Sequence, residues 1–176
     1  MSVSMSICFT ESRLRQIIHE ALLSEVEYSY GNIEYIATVK KDQFYMTPKV
    51  LVSAVIGSRV VGKVLFNVLN VGYKKTIADK APACYSDIQS LEVRGMVASM
   101  YWYPGGADVL EDFQNKGIGK GIYRAAFEKI RGLPGGPHIV IPANCTGWIA
   151  TSRSALRVWD SIASEYPHSG RVIYLR

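Results

Sequence analysis

The sequence predicts an α/β domain in which helices flank a mixed, twisted sheet of about six to seven strands. Three observations predict it. Gly57-Ser58 separates two β-branched runs, Val50 to Ile56 and Arg59 to Val71, as a two-residue hairpin turn does, so these strands are antiparallel. Ile118, Ile122, Ala125, Ala126 and Ile130 share one face of a helix lying between two further apolar runs. A strand-helix-strand unit of this kind, here across residues 95 to 142, pairs its strands in parallel through a right-handed crossover.

The remaining elements follow in order. Thr10 caps a helix running to about Val26, with Leu14, Ile17, Ile18, Ala21 and Leu22 along one side. Ile33 to Val39 is a short strand, and the hairpin comes next. From Gly72 to about Ser90 the chain is polar and mixed, with Lys74-Lys75 and Pro82, and reads as a long connection holding one helical turn. Val93 to Tyr103 is rich in β-formers and is expected to break at Pro104-Gly105-Gly106. The helix from about Gly117 to Arg131 stops at Gly132, with Pro134 beyond it. His138 to Pro142 is an apolar strand; Ser152 to about Glu165 is a helix with Ala155, Val158, Trp159 and Ile162 inward; Arg171 to Leu175 is the last strand. No repeat or linker divides the chain, so one domain is expected over residues 1–176.

Composition narrows the function. With 48% hydrophobic and 20% charged residues, the chain can bury a sizeable core. No apolar run approaches the roughly 20 residues of a membrane span, and Met-Ser-Val-Ser-Met-Ser lacks a basic region followed by an apolar one, so a cytoplasmic location is expected. Cys8, Cys84 and Cys145 are an odd number without metal spacing and read as buried or idle thiols, while His19, His138 and His168 are too far apart in sequence to suggest a ligand set. No metal is assigned. A net charge of +5 favours anionic partners, and because the basic residues are scattered it admits nucleic acid without favouring it.

The chemistry gathers at Gln114-Asn115-Lys116-Gly117-Ile118-Gly119-Lys120-Gly121, which follows a strand and opens a helix. There the first N–H groups lack intrahelical partners and the helix dipole favours an anion. Gly117 and Gly119 let the backbone approach closely, and Lys116 and Lys120 add charge. The segment is neither a P-loop, since Gly119-Lys120 is followed by Gly121, nor a dinucleotide fingerprint, since Gly117-x-Gly119-x-Gly121 has the wrong last interval.

Gln114-x-x-Gly117-x-Gly119 resembles the Gln/Arg-x-x-Gly-x-Gly/Ala signature of the GCN5-related N-acetyltransferase (GNAT) family. Phe113 before the Gln and Lys120 after the last glycine are similar to the wider stretch of that family. The likeness in sequence covers about residues 110 to 130, and the layout of elements is similar over residues 10 to 176. The resemblance implies an acyl-CoA N-acyltransferase fold, with acetyl-CoA as acyl donor, pyrophosphate on the loop amides and acetyl transfer to a primary amine. Gln114 through Lys120 would then hold the coenzyme between strands near Val97 to Tyr103 and His138 to Pro142, with Asn144 bonding the pantetheine arm. Backbone N–H groups within Met100, Tyr101 and the two residues after them would stabilise the oxyanion.

The catalytic residues follow less directly. Among the local carboxylates Glu92, Asp108, Glu111 and Asp112, Glu92 is the first choice as base. The family's proton-donating tyrosine aligns with Trp159, and an indole cannot serve, so Tyr101, Tyr103, Ser152 and Cys145 are the substitutes. Trp102, Trp148, Tyr101 and Tyr103 would line the acceptor side, together with the stretch from Asn144 to Thr151. Two other readings stay open: a non-catalytic CoA-binding module, and a nucleic-acid-associated acetyltransferase. A monomer or a homodimer is expected.

Overall fold

The computed structural model describes residues 32–41, 47–98 and 100–176, without the side chain of Val71. The expected helix from Thr10 to Val26 lies outside the described residues, as do Cys8 and His19. Among the described residues seven strands form one sheet, with β1 at Ile33–Lys41, β2 at Pro48–Ile56, β3 at Arg59–Asn70, β4 at Met100–Val109, β5 at His138–Val140, β6 at His168–Ser169 and β7 at Val172–Leu175. Their order is β1-β2-β3-β4-β5-β7-β6, and β4–β5 is the parallel pair while the other neighbours run antiparallel. The mixed sheet follows from the hairpin at Gly57-Ser58 and from the crossover through a helix, as expected.

Among the described residues four α-helices cover it: α1 at Lys74–Lys80, α2 at Pro82–Val93, α3 at Ile118–Arg131 and α4 at Arg153–Ala163. The first two correct the expectation of a long connection between Gly72 and Ser90. Pro82 starts a helix there instead of breaking one, because the first turn needs no N–H from that position.

The two faces of the sheet carry separate cores. On one face, α3 and α4 bury Val50, Val52, Phe66 and Trp102 beneath Ile122, Phe127, Trp159 and Ile162. Phe127 is its hub, with ring centroids 5.5 Å from Trp159 and 5.2 Å from Tyr166, both edge-on. On the other face, α1 and α2 cover Leu69, Tyr101, Ile139 and Val172 with Ile77, Ile88 and Leu91. Burial dominates in pushing the phenols of Tyr101, Tyr123 and Tyr166 up to about 12. The folded state therefore holds these protons after an unfolded chain, with its ordinary value near 10, has released them. Stability from this source is intact below pH about 10 and lost as pH rises toward about 12. Urea midpoints should fall across that interval, and phenolate absorbance should show a late-titrating group of tyrosines.

Cys84, in the first turn of α2, forms a disulfide with Cys145, in the short turn Ala143–Thr146 after β5. This corrects the expectation of idle thiols for those two residues and removes Cys145 from the candidate proton donors. Sequence spacing gave no sign of it, since 61 residues separate the pair and the sheet brings their Cα atoms to 5.7 Å.

Pro104-Gly105-Gly106 does not end β4, which runs on to Val109. Leu65 faces Gly106 and Phe66 faces Pro104, so Gly105 is an extra residue, a bulge. Trp102 and Val109 consequently pack toward the same core although they are an odd interval apart. A Cβ at Gly105 would run into the side-chain amide of Asn67, which also bonds the Tyr103 side chain. Gly105→Ala should lower stability by about 1–3 kcal/mol in urea unfolding.

Candidate active site

β4 and β5 pair only at Tyr101 with Ile139 and Trp102 with Val140. One more bond, Ile141 N–H to the Trp102 carbonyl at 2.8 Å, is the last between them. Past it the strands part: β4 continues to Val109 while the other chain turns away at Pro142. β4 beyond the fork borders a cleft of about 560 Å³ through Ala107, Asp108 and Val109. The opposite wall is α4, and the third side is the loop and first turns of α3, including Tyr123.

The loop is folded for this position by its own residues. Phe113 is buried in the core and pins it, with the Arg59 guanidinium 5.4 Å and the Lys116 ammonium 5.6 Å from its ring centre. The Gln114 side-chain amide donates to the Val109 carbonyl at 3.1 Å, tying the loop back to β4. Asn115 and Gly117 both take left-handed backbone conformations, φ 59° and 78°. Gly117 then caps α3 with no side-chain acceptor, which leaves the first N–H groups of the helix without intrahelical partners. Gly119 and Lys120 of that first turn border the cleft. A Cβ at Gly119 would lie 3.6 Å from Val158 Cγ2, an ordinary contact, so α4 packs directly against the cradle.

Of the residues expected to bind coenzyme, the cleft brings together Gln114, Asn115, Gly117, Gly119 and Lys120. Lys116 is exposed on the loop, over Phe113, and the Ile118 side chain is buried in the core. Met100 and Tyr101 lie on the closed side of the fork, so the opening runs from Tyr103 to Val109 instead of ending at Tyr103. Tyr101 is fully buried with its hydroxyl unpartnered, and Asn144 Oδ1 is likewise buried without a partner, near the disulfide. Lys120 donates to Glu165 at 2.9 Å. Arg124 grips the same carboxylate at 2.7 and 2.8 Å, and the two cations hold it below its usual range.

The expected catalytic residues are scattered. Glu92 lies in the last turn of α2 on the other face of the sheet and pairs with Lys74 at 2.5 Å. Ser152 borders the cleft, but its Oγ accepts from Ala155 N–H at 3.1 Å as the cap of α4. Tyr103 is the first β4 residue beyond those paired with β5; burial is the leading effect that raises its phenol, against Lys49 nearby. Its ring stands 6.5 Å from Trp148, which in turn meets Tyr73 at 6.0 Å, making a half-exposed aromatic group. Trp102 and Tyr101, expected beside them, are buried on opposite faces of the sheet. Trp102 donates its indole N–H to His138 Nδ1 at 3.3 Å; that nitrogen must accept, so Nε2 carries the proton toward the Leu133 carbonyl at 3.2 Å. Trp159 is 2% exposed and donates to the Arg171 carbonyl at 2.8 Å, which makes it a core residue.

Sequence reasoning did not identify the α4 wall: Ser154, Ala155, Arg157, Val158 and Ser161. Spacings of three and four residues from Ser154 were its only signal. Among the described residues no group of three His, Cys, Asp or Glu could hold a metal, and no helix is long and apolar enough to cross a membrane.

No family model matches the chain, and no curated protein matches it. Two solved structures are similar. One is Arabidopsis thaliana NAA60 in complex with a bisubstrate analogue, 15% identical over 94% of this chain and 92% of that one, with a TM-score of 0.44. The other is Arabidopsis thaliana NAA60 in complex with acetyl-CoA, 15% identical over 86% and 78% of the two chains, with a TM-score of 0.40. Likeness at this level bears on neither ligand nor reaction.

Proposed function

We propose that the chain is a GNAT-like acyltransferase that takes an acetyl group from acetyl-CoA and passes it to a primary amine. The observation that carries this reading is the uncapped start of α3, opening onto a cleft at the fork of a parallel strand pair. Amides there fit an anion, and Gly119 in that first turn borders the cleft. Gln114-x-x-Gly117-x-Gly119 supports the same assignment by resemblance.

In this mechanism the Ile118, Gly119 and Lys120 amides hold the pyrophosphate. The edge of β4 released by the fork offers backbone groups to the pantetheine amides, which leads the thioester toward Tyr103. Acetyl-CoA supplies the activated acyl group. Attack by the neutral amine on its carbonyl carbon forms the C–N bond, loss of the C–S bond expels a thiolate, and the nitrogen gives up one proton to solvent while the thiolate acquires one. Tyr103 is assigned that donation, because it is the first β4 residue beyond those paired with β5 and a phenol is protonated at neutral pH. Glu92, paired with Lys74, and Ser152, committed as a cap, are not assigned the base.

A second reading, a CoA-binding module without catalysis, is favoured by the buried and hydrogen-bonded Trp159 where the family would place its tyrosine. Thiol release from acetyl-CoA, followed with and without a panel of primary amines, separates them. Amine-dependent release that drops about tenfold or more in Tyr103→Phe supports the enzyme and this assignment. Binding without release under every amine favours the module.

A further inference from the structure

We propose that Arg157, flanked by Ser154 and Ser161, recognises the 3′-phosphate of the coenzyme and makes the cleft selective for CoA over dephospho-CoA. The inference rests on the reading of the cleft as an acyl-CoA site and adds a specificity determinant to it.

Spacings of three and four residues place Ser154, Arg157 and Ser161 in one stripe along α4, and all three border the cleft. Val158, the next residue, packs against the first turn of α3, so Arg157 stands beside the anion cradle and not at a distant surface. It is exposed and borders the cleft, within reach of the nucleotide end of a ligand anchored on the loop amides. Lys120, the other cation bordering the cleft, is held by Glu165. Arg157 takes part in none of the ion pairs among the described residues. Its planar fork suits a phosphate monoester, which carries about −1.5 to −2 charge at neutral pH. The hydroxyls of Ser154 and Ser161 can add donors; that of Ser154 now shares a hydrogen bond with Ser152 at 3.0 Å. The pyrophosphate is the less suitable partner, since the helix amides already meet it deeper in the cleft.

Calorimetric titration of wild type, Arg157→Gln and Arg157→Lys with CoA and with dephospho-CoA tests the proposal. Wild type should prefer CoA by about tenfold, the scale of one charge-assisted hydrogen bond. Arg157→Gln should bind both ligands with the wild-type affinity for dephospho-CoA, and Arg157→Lys should fall between. Equal affinity of wild type for the two ligands overturns the proposal, as does a preference that survives in Arg157→Gln. Parallel loss of both ligands in that variant would place Arg157 on the pyrophosphate and also overturn it. If wild type binds neither ligand, the acyl-CoA reading itself fails with it.

Discussion

Gly119→Glu is expected to remove acetyl-CoA binding, by a factor of about 100 or more in calorimetry, while the protein stays folded. The fold is expected to survive because a Cβ at this position meets Val158 Cγ2 at an ordinary 3.6 Å, the residue lies in a regular helical turn, and the cleft it borders leaves room for the rest of the side chain. Binding is lost because the new carboxylate sits in the first turn of α3, where it satisfies the free amides itself and repels the diphosphate. Gly119→Ala adds volume without charge and should retain binding within a few-fold. Gly117→Ala probes a different property: φ 78° costs a non-glycine residue about 1 kcal/mol or more, so its effect should fall on stability first. Undiminished binding in Gly119→Glu would mean that the ligand sits elsewhere.

Removing the Cys84–Cys145 bond is expected to cost about 4 kcal/mol of stability, the loop-closure scale for a crosslink across 61 residues. Cys84→Ser, Cys145→Ser and the reduced wild type should then share one lowered urea midpoint. Alkylation of the unreduced, denatured chain should label Cys8 alone. Labelling of all three cysteines under those conditions would deny the bond. Disulfides persist in oxidising surroundings, which sets this bond against the cytoplasmic location expected from the sequence. The bond joins the start of α2 to the turn that carries Asn144 and leads toward Trp148, so its loss should also loosen the aromatic group of Tyr73, Tyr103 and Trp148.

The parts of the fold legible in the sequence were those with local causes. Gly57-Ser58 sets a hairpin through its own turn geometry, and α3 starts after Gly117 and stops before Gly132 for reasons contained in a few residues. The strand order could not be read that way, although a mixed sheet could, because pairing of β7 between β5 and β6 depends on contacts far apart in the chain. Pro82 was misleading because proline ends one kind of helix position and begins another, and only the packing of Cys84, Ile88 and Leu91 decides which. The cradle was visible because the spacing Gln114-x-x-Gly117-x-Gly119 is compact in sequence, whereas Arg157 and its two serines resemble any solvated helix face until α4 is laid against α3.

Gly105 has one more consequence. Because it is a supernumerary residue, it acts on β4 as a frameshift acts on a message: everything downstream is reassigned to the other side while its chemistry is unchanged. A chain one residue shorter at this point would keep Ala107, Val109 and the whole glycine loop, yet turn the first two away from the cleft that they now border. Between Trp102 and Gln114, the property this protein can least vary is therefore its length. Substitutions there should be graded in their effects, and single-residue deletions should be all or nothing.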